Sequence, residues 1–381
     1  MRRVYLDHHA ATPLWPTVRA AIARAHDEAW GNVSSAHQEG RAARATLEQA
    51  RRAVAQALSV SAVDVVLTAG GTEAVNLGVL GAAGGAAGEA ADLVVITSAL
   101  EHPAVAQSVE ALAARGARRV VLPLHEERGR DALRELVAQP SLRSKRWIVA
   151  LQAASHETGT CLDLPEIVAI APPSALVVID ACQAVGKLPA SRWARPEWLV
   201  GIAGAKIGAT AGTGALHVPR GVALAARQLG GAQERGRRAG TPEVASHAGL
   251  AAACDALPSR LASMSRVAVL RDRLETALIA RGGVVNGAHT ERVASVTNVS
   301  FRGWRKTTLV AALDLEGLSV SAGAACSSGL EEPSRAITAL HPDEPWRAES
   351  CVRASLGPET TDDDVERAIA AFERVLARTP G

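Results

Sequence analysis

The chain has 381 residues, 48% of them hydrophobic, and its 41 basic and 39 acidic side chains leave a net charge of +2. That length builds about two or three structural units with ample core, and the even mixing of charge excludes a nucleic-acid footprint. No apolar run is long enough to span a membrane, and Met1-Arg2-Arg3-Val4-Tyr5-Leu6-Asp7 lacks the apolar stretch of a signal peptide.

In chain order, Ala, Leu and Arg at helical spacing predict helices over 15–29 and 38–58, joined by the polar loop Gly31-Asn32-Val33-Ser34-Ser35-Ala36-His37. Strand 65–68 runs into Ala69-Gly70-Gly71-Thr72-Glu73, which reads as a helix start. Strand 93–97, helix 103–115, strand 120–122, helix 130–138, strand 147–151, helix 164–170 and strand 176–179 follow. Strands alternating with helices indicate an α/β architecture with a mainly parallel sheet covered on both faces. A helix over 241–257 ends at Pro258, and beyond it a long helix over 264–281 leads into smaller units. The expected division is a large domain over 14–258 and a smaller α+β domain made from 1–13 and 259–381.

The five cysteines, at 161, 182, 254, 326 and 351, form no Cys-x-x-Cys pair. Neither a metal site nor a disulfide framework is expected, and the odd, scattered set fits a reducing cytoplasm.

Chemistry concentrates at strand ends. Asp180 closes the apolar run Val177-Val178-Ile179, and Lys206 follows a second apolar run, Trp198-Leu199-Val200-Gly201-Ile202. A carboxylate and an amine so placed suit pyridoxal 5'-phosphate, the first keeping the pyridine nitrogen protonated and the second holding the aldehyde. Gly70-Gly71-Thr72 at a helix start could cradle the phosphate or be an ordinary N-cap. His102, also at a helix start, could stack on a flat cofactor and move protons, or simply cap the helix. Gln183 could hydrogen-bond a phenolic oxygen or only begin a helix. Cys326 lies in the small-residue run Ser321-Ala322-Gly323-Ala324-Ala325-Cys326-Ser327-Ser328-Gly329, as an exposed nucleophilic thiol would. Arg353 could bind a carboxylate bidentately or form a surface salt bridge.

Together these segments resemble the NifS/IscS group of cysteine desulfurases, class V, fold-type I pyridoxal-phosphate enzymes, along nearly the whole chain. The carriers are Tyr5-Leu6-Asp7-His8-His9-Ala10-Ala11-Thr12-Pro13, the loop from Gly31-Asn32 to His37, Thr68–Asn76, Glu101-His102, Asp180 with Gln183, Lys206, Glu234-Arg235-Gly236-Arg237-Arg238-Ala239-Gly240-Thr241, Cys326 and Arg353. The resemblance implies a mostly parallel seven-stranded sheet between helices. It implies Gly71 and Thr72 at the phosphate, His102 stacked on the ring, Asp180 at its nitrogen, Gln183 at its phenolic oxygen and Lys206 as the Schiff-base lysine. Thr241 would reach the phosphate of the other subunit of a homodimer. Asn32 and Arg353 would bind L-cysteine, and Cys326 would take its sulfur as a persulfide for an acceptor protein such as an iron–sulfur scaffold or a tRNA-thiolation enzyme.

Three segments depart from the family pattern. Ser-Gly-His-Lys is Ala203-Gly204-Ala205-Lys206, which removes two phosphate-holding side chains. Asn-Asn-Glu is Ser155-His156-Glu157, which puts His156 near the phenolic oxygen. Gly-Gly-Gly-His-Glu is Gly230-Gly231-Ala232-Gln233-Glu234. Two other readings accommodate these changes: a selenocysteine lyase or other carbon–sulfur lyase on the same scaffold, and a non-catalytic dimer that binds partner proteins.

Overall fold

The computed structural model describes residues 3–84, 90–122, 126–323 and 332–378. The chain separates into two compact units, one of residues 13–153 and 162–258, the other of residues 1–12, 154–161 and 259–381.

In the first unit the helices are α1 (Pro16–Glu28), α2 (Gln38–Leu58), α3 (Gly71–Ala82), α4 (Pro103–Ala113), α5 (Glu126–Ala138), α6 (Leu164–Ile170) and α7 (Val244–Asp255). The strands are β2 (Val65–Thr68), β3 (Leu93–Ser98), β4 (Arg118–Leu122), β5 (Arg146–Gln152), β6 (Leu176–Asp180), β7 (Leu199–Ala203) and β8 (Gly214–His217). They form one seven-stranded sheet in the order β2-β8-β7-β6-β5-β3-β4. Only β8 runs antiparallel to its neighbours, β2 and β7.

Both faces of this sheet are buried, which explains why its strands are continuous apolar runs rather than alternating ones. Val66, Val95, Ile148, Val178 and Leu216 pack with residues of α3 and α4. Their neighbours Leu67, Val94, Val149, Ile179 and Ala215 join residues of α2, α5 and α7 in a second core. Successive strand residues thus serve opposite helical layers.

Several expected helices are shorter than the pattern suggests. The helix expected over 241–257 begins at Val244, because the Glu243 carboxylate accepts from the N–H groups of Ala245 and Ser246 and so acts as the N-cap. The helix expected over 264–281 ends at Ile279.

The second unit holds β1 (Val4–Tyr5), parallel to β11 (Leu318–Ser319), and the antiparallel sheet β12-β10-β9. These last three strands span Cys351–Ser355, Val296–Phe301 and Gly283–Val285. After the short α8 (Leu257–Ala262) at the boundary, its helices include α9 (Met264–Ile279), α10 (Lys306–Leu315), α11 (Arg335–Leu340), α12 (Trp346–Ser350) and α13 (Asp362–Leu376). Leu6, Leu274, Val299, Leu313 and Phe372 are part of its core. Helix α13 opens on a reciprocal capping box between Thr361 and Asp364. No helix of the described residues is long and apolar enough to cross a membrane.

Candidate active site

In the first unit, the C-terminal ends of β3, β5, β6 and β7 carry the polar cluster. Asp180 is the last residue of β6, paired in register with Gln152 of β5 and Gly201 of β7. It is 7% exposed, and its Oδ1 accepts from the Cys182 N–H at 2.9 Å. Lys206 ends the single 3₁₀ turn Gly204–Lys206 that follows β7. His102 is the N-cap of α4, and its Nδ1 accepts from the Ala104 N–H at 3.1 Å. Burial lowers the pKa of this imidazole; Asp180 pulls it back up, and Lys206 pushes it further down. Asp180, Lys206 and His102 therefore share one electrostatic neighbourhood, and the capping reading of His102 holds.

Gln183 is buried, and its Oε1 accepts from the Lys187 ammonium at 2.6 Å. That bond fixes the amide so that its nitrogen is the donor end. Cys182 sits beneath the α3 turn: a Cβ on Gly71 would lie 2.5 Å from its Sγ and 3.0 Å from the Ala203 Cβ. Gly71 is thus required by close approach, and the first turn of α3 presses directly on the floor that carries Asp180. Burial, then the charge and hydrogen bond of Asp180, raise the Cys182 thiol well above its ordinary range. Thr72, in the first turn of α3, is exposed. Asn32 and Thr241 are exposed as well, and the Asn32 Oδ1 accepts from the Ser34 N–H at 2.8 Å.

Glu101 is a site residue to which the sequence reading gave no role. Its Oε1 accepts from the Ser98 hydroxyl at 2.5 Å and its Oε2 from the Gln152 N–H at 2.7 Å. Burial pushes its carboxyl up to about 8, against these hydrogen bonds and with help from Asp180. The signal was its place beside His102 at the end of a strand, but nothing in the sequence says that its partners are a hydroxyl and a peptide N–H.

In the second unit, Arg353 of β12 is 1% exposed. Its Nη2 donates to Asp7 Oδ1 at 2.6 Å and its Nη1 to the His156 carbonyl at 2.9 Å. The expectation of a surface salt bridge is therefore wrong: this is a buried pair, held by the N-terminal segment whose role the spacing did not reveal. His156 is 8% exposed, and its Nε2 lies 3.8 Å from Glu157 Oε1. Cys326 lies outside the described residues. Of the other cysteines, Cys254 and Cys351 are each driven by burial up to about 12, and Cys161 is buried.

The aminotransferase class-V family model matches residues 4–368. The chain belongs to the aminotransferase class-V family. A cysteine desulfurase of Gluconacetobacter diazotrophicus is 36% identical over 99% of this chain and 94% of its own length. An IscS-like cysteine desulfurase of Mycobacterium tuberculosis is 36% identical over 98% of this chain and 96% of its own. Among solved structures, a NifS-like protein superposes with a TM-score of 0.86 at 26% identity, covering 98% of this chain and 99% of that one. Class-V enzymes of the cysteine desulfurase kind use pyridoxal phosphate. The donor set here fits that group: a glycine-floored helix start for the phosphate, a buried carboxylate at a strand end and a lysine beside it.

Proposed function

We propose that this class-V enzyme is a cysteine desulfurase that converts L-cysteine to L-alanine and passes the sulfur to Cys326. The observation that supports this most is the placing of Asp180 at the end of β6 and Lys206 in the turn after the adjacent β7, both beside the Gly71–Thr72 turn, with His102 at the α4 start in the same electrostatic neighbourhood. Gly71 and Thr72 would hold the phosphate, Asp180 the ring nitrogen, Gln183 the phenolic oxygen through its amide nitrogen, and Lys206 the aldehyde carbon. When bound, pyridoxal phosphate supplies an electron sink for charge developing at the substrate α-carbon.

The chain's own groups do the remaining work. Asp180, anchored by the Cys182 N–H, would hold a proton on the ring nitrogen. Lys206 would take the α-proton of the bound substrate. His102 is held neutral by burial, so its ring can stack and its Nε2 edge can exchange protons with the substrate. Arg353 and Asn32 would receive the substrate carboxylate, and Arg353 keeps its planar fork oriented through Asp7. His156, which stands where the family has an asparagine, would lie near the phenolic oxygen. Cys326 then attacks the substrate sulfur: an S–S bond forms, the C–S bond breaks, and the carbon takes a proton to become alanine. The buried, high-pKa thiols of Cys182, Cys254 and Cys351 are poor nucleophiles, which favours Cys326 for this step.

We further propose a homodimer in which Thr241 reaches the phosphate of the partner subunit, and delivery of persulfide sulfur to an acceptor protein such as an iron–sulfur scaffold. The test is the visible spectrum of the purified protein before and after L-cysteine, with alanine and sulfide assayed together. A yellow protein that changes colour and makes alanine supports the reading. Pyruvate and ammonia in place of alanine would make it an eliminating lyase, and unchanged turnover in Cys326→Ala would remove that residue from the mechanism.

A further inference from the structure

The Gly71–Thr72 turn is assigned above to a phosphate, yet a carboxylate already sits at the same end of α3. Glu73, in the first turn of this helix, folds back so that its Oε2 accepts from the Ala69 N–H at 2.8 Å. It places a negative charge at the positive end of the helix, where a phosphate would also have to bind. Two anions there would repel each other unless one were neutralised.

Arg238 neutralises it. Its Nε donates to Glu73 Oε1 at 2.8 Å and its Nη2 to Oε2 at 3.4 Å, and both side chains are largely buried. The segment that carries Arg238 is built to stay in place. Glu234 and Arg235 both lie in the left-handed region, with φ of 48° and 57°, a costly conformation for residues with side chains. It persists because Glu234 accepts from Arg51 Nη1 at 2.6 Å, Arg51 Nη2 at 2.9 Å and the Leu67 N–H at 2.9 Å. Arg235 adds a hydrogen bond from Nη1 to the Val63 carbonyl. The 234–238 segment therefore grips β2 just before the turn and α3 just after it.

We propose that Arg238 is a positioning residue that masks the Glu73 charge, so that the α3 start accepts a phosphate-bearing cofactor in preference to its dephosphorylated form. This rests on the pyridoxal-phosphate reading given above. Ala203 and Ala205 stand where the family has two phosphate-holding side chains, so this charge balance carries a larger share of the preference here.

The experiment measures equilibrium binding of pyridoxal phosphate and of pyridoxal to the full-length apoprotein by dialysis and absorbance, without any assay of turnover. Arg238→Gln is expected to weaken pyridoxal-phosphate binding about tenfold, the scale of an uncompensated charge at a helix end, and to leave pyridoxal binding within about twofold. Arg238→Lys should retain most of the preference. Glu73→Gln in the Arg238→Gln background should restore phosphate binding, because it removes the charge that needed masking. Equal losses for both ligands, or no rescue by Glu73→Gln, would overturn the proposal and leave Arg238 a merely structural residue. A wild-type protein that binds neither ligand would instead overturn the cofactor reading beneath it.

Discussion

Two buried carboxylates in the same unit meet opposite fates. Glu234 is clasped by the Arg51 guanidinium, with both side chains 4% exposed, and it also accepts a backbone N–H. Glu101 is just as deeply placed, yet its hydrogen-bond partners are a hydroxyl and a peptide N–H, and its carboxyl is pushed up to about 8. On the other side of the clasp, Glu234 raises the pKa of Arg51 against the lowering effect of burial. Desolvation alone does not decide whether a buried group is charged; the presence of a full opposite charge does.

The largest effect should come from breaking the clasp. Arg51→Met leaves the Glu234 charge buried and should cost about 3–5 kcal/mol, read as a lowered denaturation midpoint. Arg51→Met combined with Glu234→Leu should recover most of that loss, since a buried pair is replaced rather than halved. If the double variant is as unstable as the single one, the strained 234–235 turn rather than the charge explains the loss.

Glu101→Gln probes the other carboxylate and should act through pH. The folded-state carboxyl is raised from 4.5 to about 8, so the native state keeps its proton while the unfolded chain loses it. Stability contributed by this group is therefore full in acid, falls as pH climbs through that window, and levels off above it. Glutamine can accept from the Gln152 N–H and donate to the Ser98 hydroxyl, so the variant should match wild type near pH 4, below the unfolded-chain pKa. It should exceed wild type by about 4 kcal/mol at pH 8 and above, measured by urea titrations at both pH values. A constant difference across pH would mean that Glu101 is ionised in both states.

A smaller effect separates packing from charge. Gly71→Ala forces a Cβ to within 2.5 Å of Cys182 Sγ and should destabilise by about 1–2 kcal/mol. Adding Cys182→Ala should relieve much of that, as thermal melts would show. The smallest effect is the control. Glu110→Ala breaks a pair with Arg119 in which both side chains are about half exposed, and it should change stability by less than about 0.5 kcal/mol.

The same contrast explains what the sequence made legible. The strands were visible because a sheet buried on both faces must be written as local apolar runs, as in Val65–Thr68 and Leu176–Asp180. Asp180 and Lys206 were visible because the first directly follows such a run and the second stands one short turn past another. The Arg51–Glu234 clasp was not, because its members stand far apart in the chain and α2 contains several arginines at helical spacing. The burial of Arg353 was hidden for the same reason: its partner Asp7 comes from the opposite end of the chain. Nor could the sequence show that residues 154–161 belong with the second unit, since a short excursion between β5 and α6 leaves no compositional trace.

The place of β8 in the sheet sets an order of events during synthesis. Strand β2 leads straight into the Gly70–Gly71 turn, and its one partner in the sheet is β8, with Val65 opposite His217 and Thr68 opposite Gly214. Gly214 also backs the turn itself, where a Cβ would fall 2.6 Å from the Gly70 carbonyl carbon. The turn is made early by the ribosome but gains its supporting strand only after five other strands have emerged. A nascent chain therefore carries the Gly70–Gly71 turn without its supporting strand through most of the first unit's translation, and the turn cannot be completed until residue 217 has cleared the exit tunnel.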